Sequence, residues 1–194
     1  VIVVLGVIAV IAARSSNSKD DSFDKAAQTS AVTISGDVLA PLLDTQGADE
    51  AVGKKVPTAT GKDFTGKKVT IGPDDGAKVI MFVAHWCPHC QAEVPRILSQ
   101  LEDSPLPKDV ELVMVSTGVK PEAENYPPQT WLEGEGWKGT VLADSEETAA
   151  ATAYGLTSFP YFVAVKADGT VAARMSGEIT SDQFDALVTA AHAG

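Results

Sequence analysis

"VIMFVAHWCPHCQAEVPRI", Val79 to Ile97, is the stretch on which the reading of this chain turns. It opens with a continuous apolar run, Val79 to Ala84, rich in β-formers. Such a run is a strand buried on both faces, as in a parallel sheet. From Cys90 the period changes. Val94, Ile97, Leu98 and Leu101 fall at helical spacing as far as Asp103, with Pro95 placed to kink the helix. Between strand and helix lie the only two cysteines of the chain and two of its three histidines.

A helix N-terminus carries unsatisfied N–H groups and a partial positive charge, and both favour a thiolate. The spacing therefore predicts Cys87 as an exposed nucleophile of lowered pKa and Cys90, one turn in, as a buried resolving thiol. Pro88 is preset for the first helical turn. His89, between the cysteines, is expected to lower the Cys87 pKa further. A purely structural staple is a poor alternative, because a bridge across two residues removes little chain entropy. A metal is the other rival, since His85, Cys87, His89 and Cys90 are all potential ligands. They are crowded into six residues, with no second pair to close a tetrahedral site. No metal is assigned.

Outward from this stretch the pattern stays globular. "VELVMVST" (Val110 to Thr117) reads as a second buried strand. Lys120 to Trp137 is broken by Pro and Gly and reads as a loop with one short helix. "GTVLAD" is a short strand, and Ser145 to Gly155 a helix with Ser145 as its cap. "FPYFVAVKADGTVAARMSG" is a hairpin turning at Asp168–Gly169. The last helix follows Thr180 or Ser181, with Phe184, Leu187 and Val188 inward. Upstream, the Gly-broken stretch from Gly53 to Gly72 suggests hairpin strands. The order predicts an α/β fold: a central mixed sheet with helices on both faces.

The chain has 194 residues and a formal net charge of -11, with no basic stripe. That makes it a poor nucleic-acid binder. Residues 31–194 form the expected domain, with 31–76 an N-terminal strand extension. Residues 14–30, Ser/Asp/Lys-rich, read as a flexible tether. Val1 to Ala13 is apolar but reaches only about 20 Å as a helix. It is read as the end of a transmembrane anchor or, alternatively, as the h-region of a secretory signal. Either places the domain on the extracytoplasmic side: at the cell membrane on a single-pass anchor, or secreted.

With these residues in view, the chain resembles the thioredoxin-fold proteins, and more closely their membrane-anchored TlpA/ResA-like branch. The likeness rests on the buried strand running into Trp86-Cys87-x-x-Cys90, on Glu93 and Pro95, on "GLTSFPYFVAVKADGTV", and on the insertion near Lys120 to Gly139. It implies a thiol-disulfide oxidoreductase whose only redox group is the Cys87–Cys90 disulfide, with no bound cofactor. It implies a cis Phe159–Pro160 bond that faces the cysteines and docks substrate backbone. Trp86 and Tyr161 would line the docking surface. Met81 stands where thioredoxins carry a buried Asp, so Glu93 is expected to serve Cys90 as proton acceptor through water. The Pro88–His89 dipeptide resembles that of DsbA-type oxidases and leans the direction toward oxidation of exported proteins. A reductase of cytochrome c maturation is the alternative within this class, and a copper-binding module is the alternative outside it. Expected partners are extracytoplasmic thiol or disulfide proteins and a membrane redox partner.

Overall fold

A computed structural model of the protein describes residues 28–43 and 48–193. The expected anchor and most of the expected tether lie outside them. Among the described residues no helix is long and apolar enough to cross a membrane.

Strand β4 (Ala77–Val83) is the centre, with all seven residues buried. It pairs in parallel with β5 (Val110–Ser116) on one side and antiparallel with β7 (Tyr161–Val165) on the other. Beyond β5 lies β6 (Val141–Ala143), also parallel, and beyond β7 lies β8 (Val171–Ser176). The sheet extends through β2 (Thr58–Lys62), which meets β6 at Lys62–Ala143 and also pairs with β1 (Thr33–Ser35) and β3 (Lys68–Ile71). The β2–β3 hairpin is the one expected from the Gly-broken stretch. A pleated strand sends alternate residues to opposite faces, so β4 builds two cores. Val79, Met81 and Val83 face helices α1 (Pro88–Asp103), α2 (Pro128–Gly134) and α4 (Ser181–His192) through Val94, Ile97, Trp131, Phe184 and Leu187. Ile80 and Phe82 face helix α3 (Ala149–Ala153) and the segment carrying Leu39, Ala51 and Val56. Helices therefore cover both faces of a mixed sheet, as expected.

Three local expectations need correction. The tether does not run to Ser30. Gln28 is 2% exposed and accepts from Gln129 N, while Ser30 hydrogen-bonds to both the Asp144 and Ala143 carbonyls. Ser145 is not the main cap of α3. The buried Asp144 carboxylate accepts from Ser145 N, Ala150 N and Ala151 N, whereas Ser145 Oγ takes only Ala149 N. A carboxylate at a helix start satisfies orphan donors and matches the dipole better than a hydroxyl does. Tyr161 does not line a docking surface. It is fully buried, its hydroxyl donates to Tyr154 O, and its ring packs on Phe82 at 5.6 Å. Strand alternation directs it into the core opposite the cysteines.

Candidate active site

The site stands at the C-terminal end of β4, where the chain must leave the sheet and start α1. Cys87 is the N-cap of that helix, with an extended backbone (φ -81°, ψ 117°) and Pro88 next. Its carbonyl accepts the first helical bond, from Gln91 N at 3.0 Å. Both cysteines are free thiols in this structure. Cys90 lies fully buried against the sheet, its Sγ 3.5 Å from Ala84 N. Burial pushes its thiol well above the usual range, with smaller contributions from Cys87 and the Glu93 charge; the Ala84 N–H opposes them.

Cys87 departs from expectation. It is only 5% exposed, because it packs into the same cluster as Cys90 beside Trp86 and Phe159. The Trp86 indole donates to Gly118 O at 2.7 Å and meets the Phe159 ring edge-on at 5.9 Å. Lys120 Nζ lies 3.5 Å over the Trp86 ring, a cation–π contact. The Phe159–Pro160 bond is cis. Pro160 is buried and its carbonyl accepts from Gly177 N, so the segment is tied to the end of β8. Gly118 takes a left-handed conformation (φ +61°) facing the tip of the Phe159 ring. Glycine is the residue that enters this region without steric cost.

His89 is exposed and turns Nδ1 to the Glu178 carboxylate, a partner that no sequence pattern announces, 89 residues away. Glu93 is not at the helix surface. It is 1% exposed and takes Arg96 Nε at 3.0 Å and Arg96 Nη2 at 2.7 Å, with Ile179 N at 3.3 Å. A carboxylate so engaged has few lone pairs left, which weakens the expectation that it serves Cys90 through water. Met81 is fully buried among apolar neighbours on the Cys90 side of the sheet. The four possible metal ligands do not converge. His85 is fully buried, with Nδ1 2.7 Å from Glu124 O and Nε2 3.1 Å from Lys120 N, so both ring nitrogens are committed to backbone. Among the described residues no group of three His, Cys, Asp or Glu could hold a metal ion.

A family model described as Redoxin matches residues 51–188. The chain belongs to the Redoxin family. No curated protein sequence matches this redoxin. Solved structures do. A thiol:disulfide interchange protein of the thioredoxin family from Chlorobium tepidum is 21% identical over 74% of this chain and 99% of its own, TM-score 0.57. A secreted Mycobacterium tuberculosis disulfide oxidoreductase homologous to E. coli DsbE is 23% identical over 68% and 94%, TM-score 0.54. MTB DsbF, solved in mixed oxidised and reduced forms, is 25% identical over 69% and 94%, TM-score 0.55. The fold is thioredoxin-like, and this redoxin is a thiol-disulfide oxidoreductase with Cys87 and Cys90 as its C-x-x-C pair.

Proposed function

We propose that this redoxin exchanges disulfides with exported proteins on the extracytoplasmic side, running in the oxidising direction. The observation that carries the reading is Cys87 at the N-cap of α1, in one buried cluster with Cys90, with Phe159 packed on Trp86 against that cluster. In the bridged form, a substrate thiolate attacks Cys87 Sγ. The Cys87–Cys90 bond breaks, the electron pair goes to Cys90, and Cys90 takes a proton. A second substrate thiolate then attacks the substrate sulfur of the mixed disulfide and releases Cys87. The substrate loses two electrons and the protein gains them. A redox partner in the membrane reoxidises the pair. Trp86 and Phe159 flank the incoming chain, and Pro160 orients its backbone.

The oxidising direction is supported by the Pro88–His89 dipeptide. The location is supported by the apolar Val1–Ala13 stretch, which would anchor the domain, and by the secreted neighbour from M. tuberculosis. The reducing direction, toward cytochrome c maturation, is the second reading; it is favoured by the DsbE-like scaffold rather than by the dipeptide.

The test is the Cys87–Cys90 reduction potential against glutathione. A value near about -120 to -180 mV supports the oxidising direction, and one at or below about -270 mV overturns it in favour of the reductase. A Cys90→Ser variant should accumulate mixed disulfides through Cys87 in either case. No mixed disulfide with any thiol or disulfide protein would sink interchange itself.

A further inference from the structure

His85 is the one member of the His85–Cys90 stretch that the exchange chemistry leaves unused. A titratable side chain buried completely at the lip of an active site needs a reason. Its two ring bonds settle its state. Glu124 O is a carbonyl and only accepts, so Nδ1 carries the proton; Lys120 N–H only donates, so Nε2 is a bare lone pair. The imidazole is neutral and serves as a two-ended clip between residues 35 and 39 positions further along the chain. The His85 carbonyl adds to the grip, accepting from Gln91 Nε2 at 2.8 Å and Asn125 Nδ2 at 3.4 Å. The ring meets Tyr126 edge-on at 6.0 Å.

What the clip holds is the loop from Gly118 to Tyr126. That loop holds Trp86, the neighbour of Cys87, and faces Phe159, which meets Trp86 edge-on. Gly118 O accepts the Trp86 indole N–H, Gly118 faces the tip of the Phe159 ring, and Lys120 places its ammonium on the Trp86 face. Glu124 and Lys120 are themselves exposed. Freed from His85, their backbone groups would find water, and the loop would open without unfolding the sheet. Burial holds the His85 imidazole below the ordinary histidine range; the Glu124 bond and the Glu122 charge oppose this, and the Lys120 charge adds to it.

We propose that His85 is a positioning residue: its neutral ring clips Glu124 O and Lys120 N–H, fixing the Gly118–Tyr126 loop as the rim against which a protein substrate docks beside Cys87. The proposal rests on the disulfide-exchange reading above. It predicts that His85 matters for protein disulfides, which must seat on the rim, and not for small ones.

The test uses His85→Phe, which keeps the ring's shape and its packing on Tyr126 without polar atoms, and His85→Gln, which restores one donor and one acceptor. In the wild-type reduced protein, the imidazole nitrogen spectrum should show the Nδ1–H tautomer. In His85→Phe, amide exchange at Lys120 should rise roughly thirtyfold, two lost hydrogen bonds of ordinary net strength. KM for insulin disulfides should rise by a similar factor with little change in kcat. The rate with glutathione disulfide should stay within about twofold, and His85→Gln should recover part of both losses. An Nε2–H tautomer, unchanged Lys120 exchange, or an equal loss on insulin and glutathione disulfide would overturn the proposal. A wild-type protein inert toward both disulfides would overturn the exchange reading instead. The tautomer and the amide exchange would still decide whether the clip exists.

Discussion

Replacing Arg96 with Met should destabilise the protein by about 3 kcal/mol. The Glu93 side chain is 2% exposed, and Arg96 grips its carboxylate with two bonds, at 3.0 and 2.7 Å. Breaking a buried pair leaves an unpaired buried charge and costs about 3–5 kcal/mol. The lower end applies because the Arg96 side chain is 31% exposed, so part of the field is already screened. One backbone donor, Ile179 N, remains for the carboxylate. Arg96 also reaches Gln100 and Ser181, joining α1 to α4, and those bonds go too. At about 2–4 °C per kcal/mol for a domain of this size, Tm should fall by about 6–12 °C. The control is Glu93→Met with Arg96→Met. Removing both charges removes the stranded carboxylate, so the double variant should lie closer to wild type than Arg96→Met alone. Urea denaturation of the four proteins in the cycle measures this. An Arg96→Met loss under about 1 kcal/mol, or a double variant no better than the sum of the singles, would refute the claim that Arg96 compensates a buried charge.

Other outcomes follow from the same geometry. In a Cys87→Ser background, Cys90 should alkylate far more slowly than a free thiol, and its rate should still be climbing above pH 9. Because burial raises its pKa, Cys90 contributes stability that is complete below the ordinary thiol value and is lost as pH rises toward the folded-state value. A urea midpoint that falls above about pH 9 in wild type but less in Cys90→Ala checks the sign. Asp144→Ala should cost about 3 kcal/mol, since it strands the Ser145, Ala150 and Ala151 amides and the Thr117 hydroxyl. Ser145→Ala should cost less than half of that by thermal denaturation. Thr180→Ala should cost about 1 kcal/mol, because it dissolves the capping box with Gln183 at the start of α4.

The elements with a strong local signal were legible from sequence. β4 and β5 announce themselves as apolar runs, α1 by its period, and the β7–β8 hairpin by Asp168–Gly169 at its turn. Residues 36–43 and 48–52 were not legible. Their order comes from distant partners: Leu39 N bonds Ala153 O, and Asp49 pairs with Arg174, 125 residues on. Neither carries a periodic signature. The α3 cap was misread for a related reason. Ser145 has the right type and place, but Asp144, one residue earlier, is driven inward by β6 and reaches three amides. Tyr161 was misplaced because the strand's phase, not its residue type, decides which face it serves.

The same distinction runs through the site. Cys87, Cys90 and Pro88 could be read locally, because a helix start is a local event. The partners that govern how those cysteines work could not. Glu178 on His89 and Glu124 and Lys120 on His85 arrive from loops between 35 and 89 residues away. Cys90 itself has an apolar sheet behind it at Met81, and the nearby Glu93 carboxylate is already claimed by Arg96. A thiol in that setting is a poor leaving group as thiolate, since leaving is easier at lower pKa. Opening of the bridge by an attacking substrate should therefore be limited by departure of Cys90. Met81→Asp supplies a buried carboxylic acid on the Cys90 side of the sheet, kept protonated by its apolar surroundings, and the departing sulfur takes its proton from it. If proton supply limits that departure, the variant should speed reaction of the oxidised protein with small thiols near neutral pH. A rate that is unchanged in a folded Met81→Asp protein would place the limit at attack on Cys87 instead.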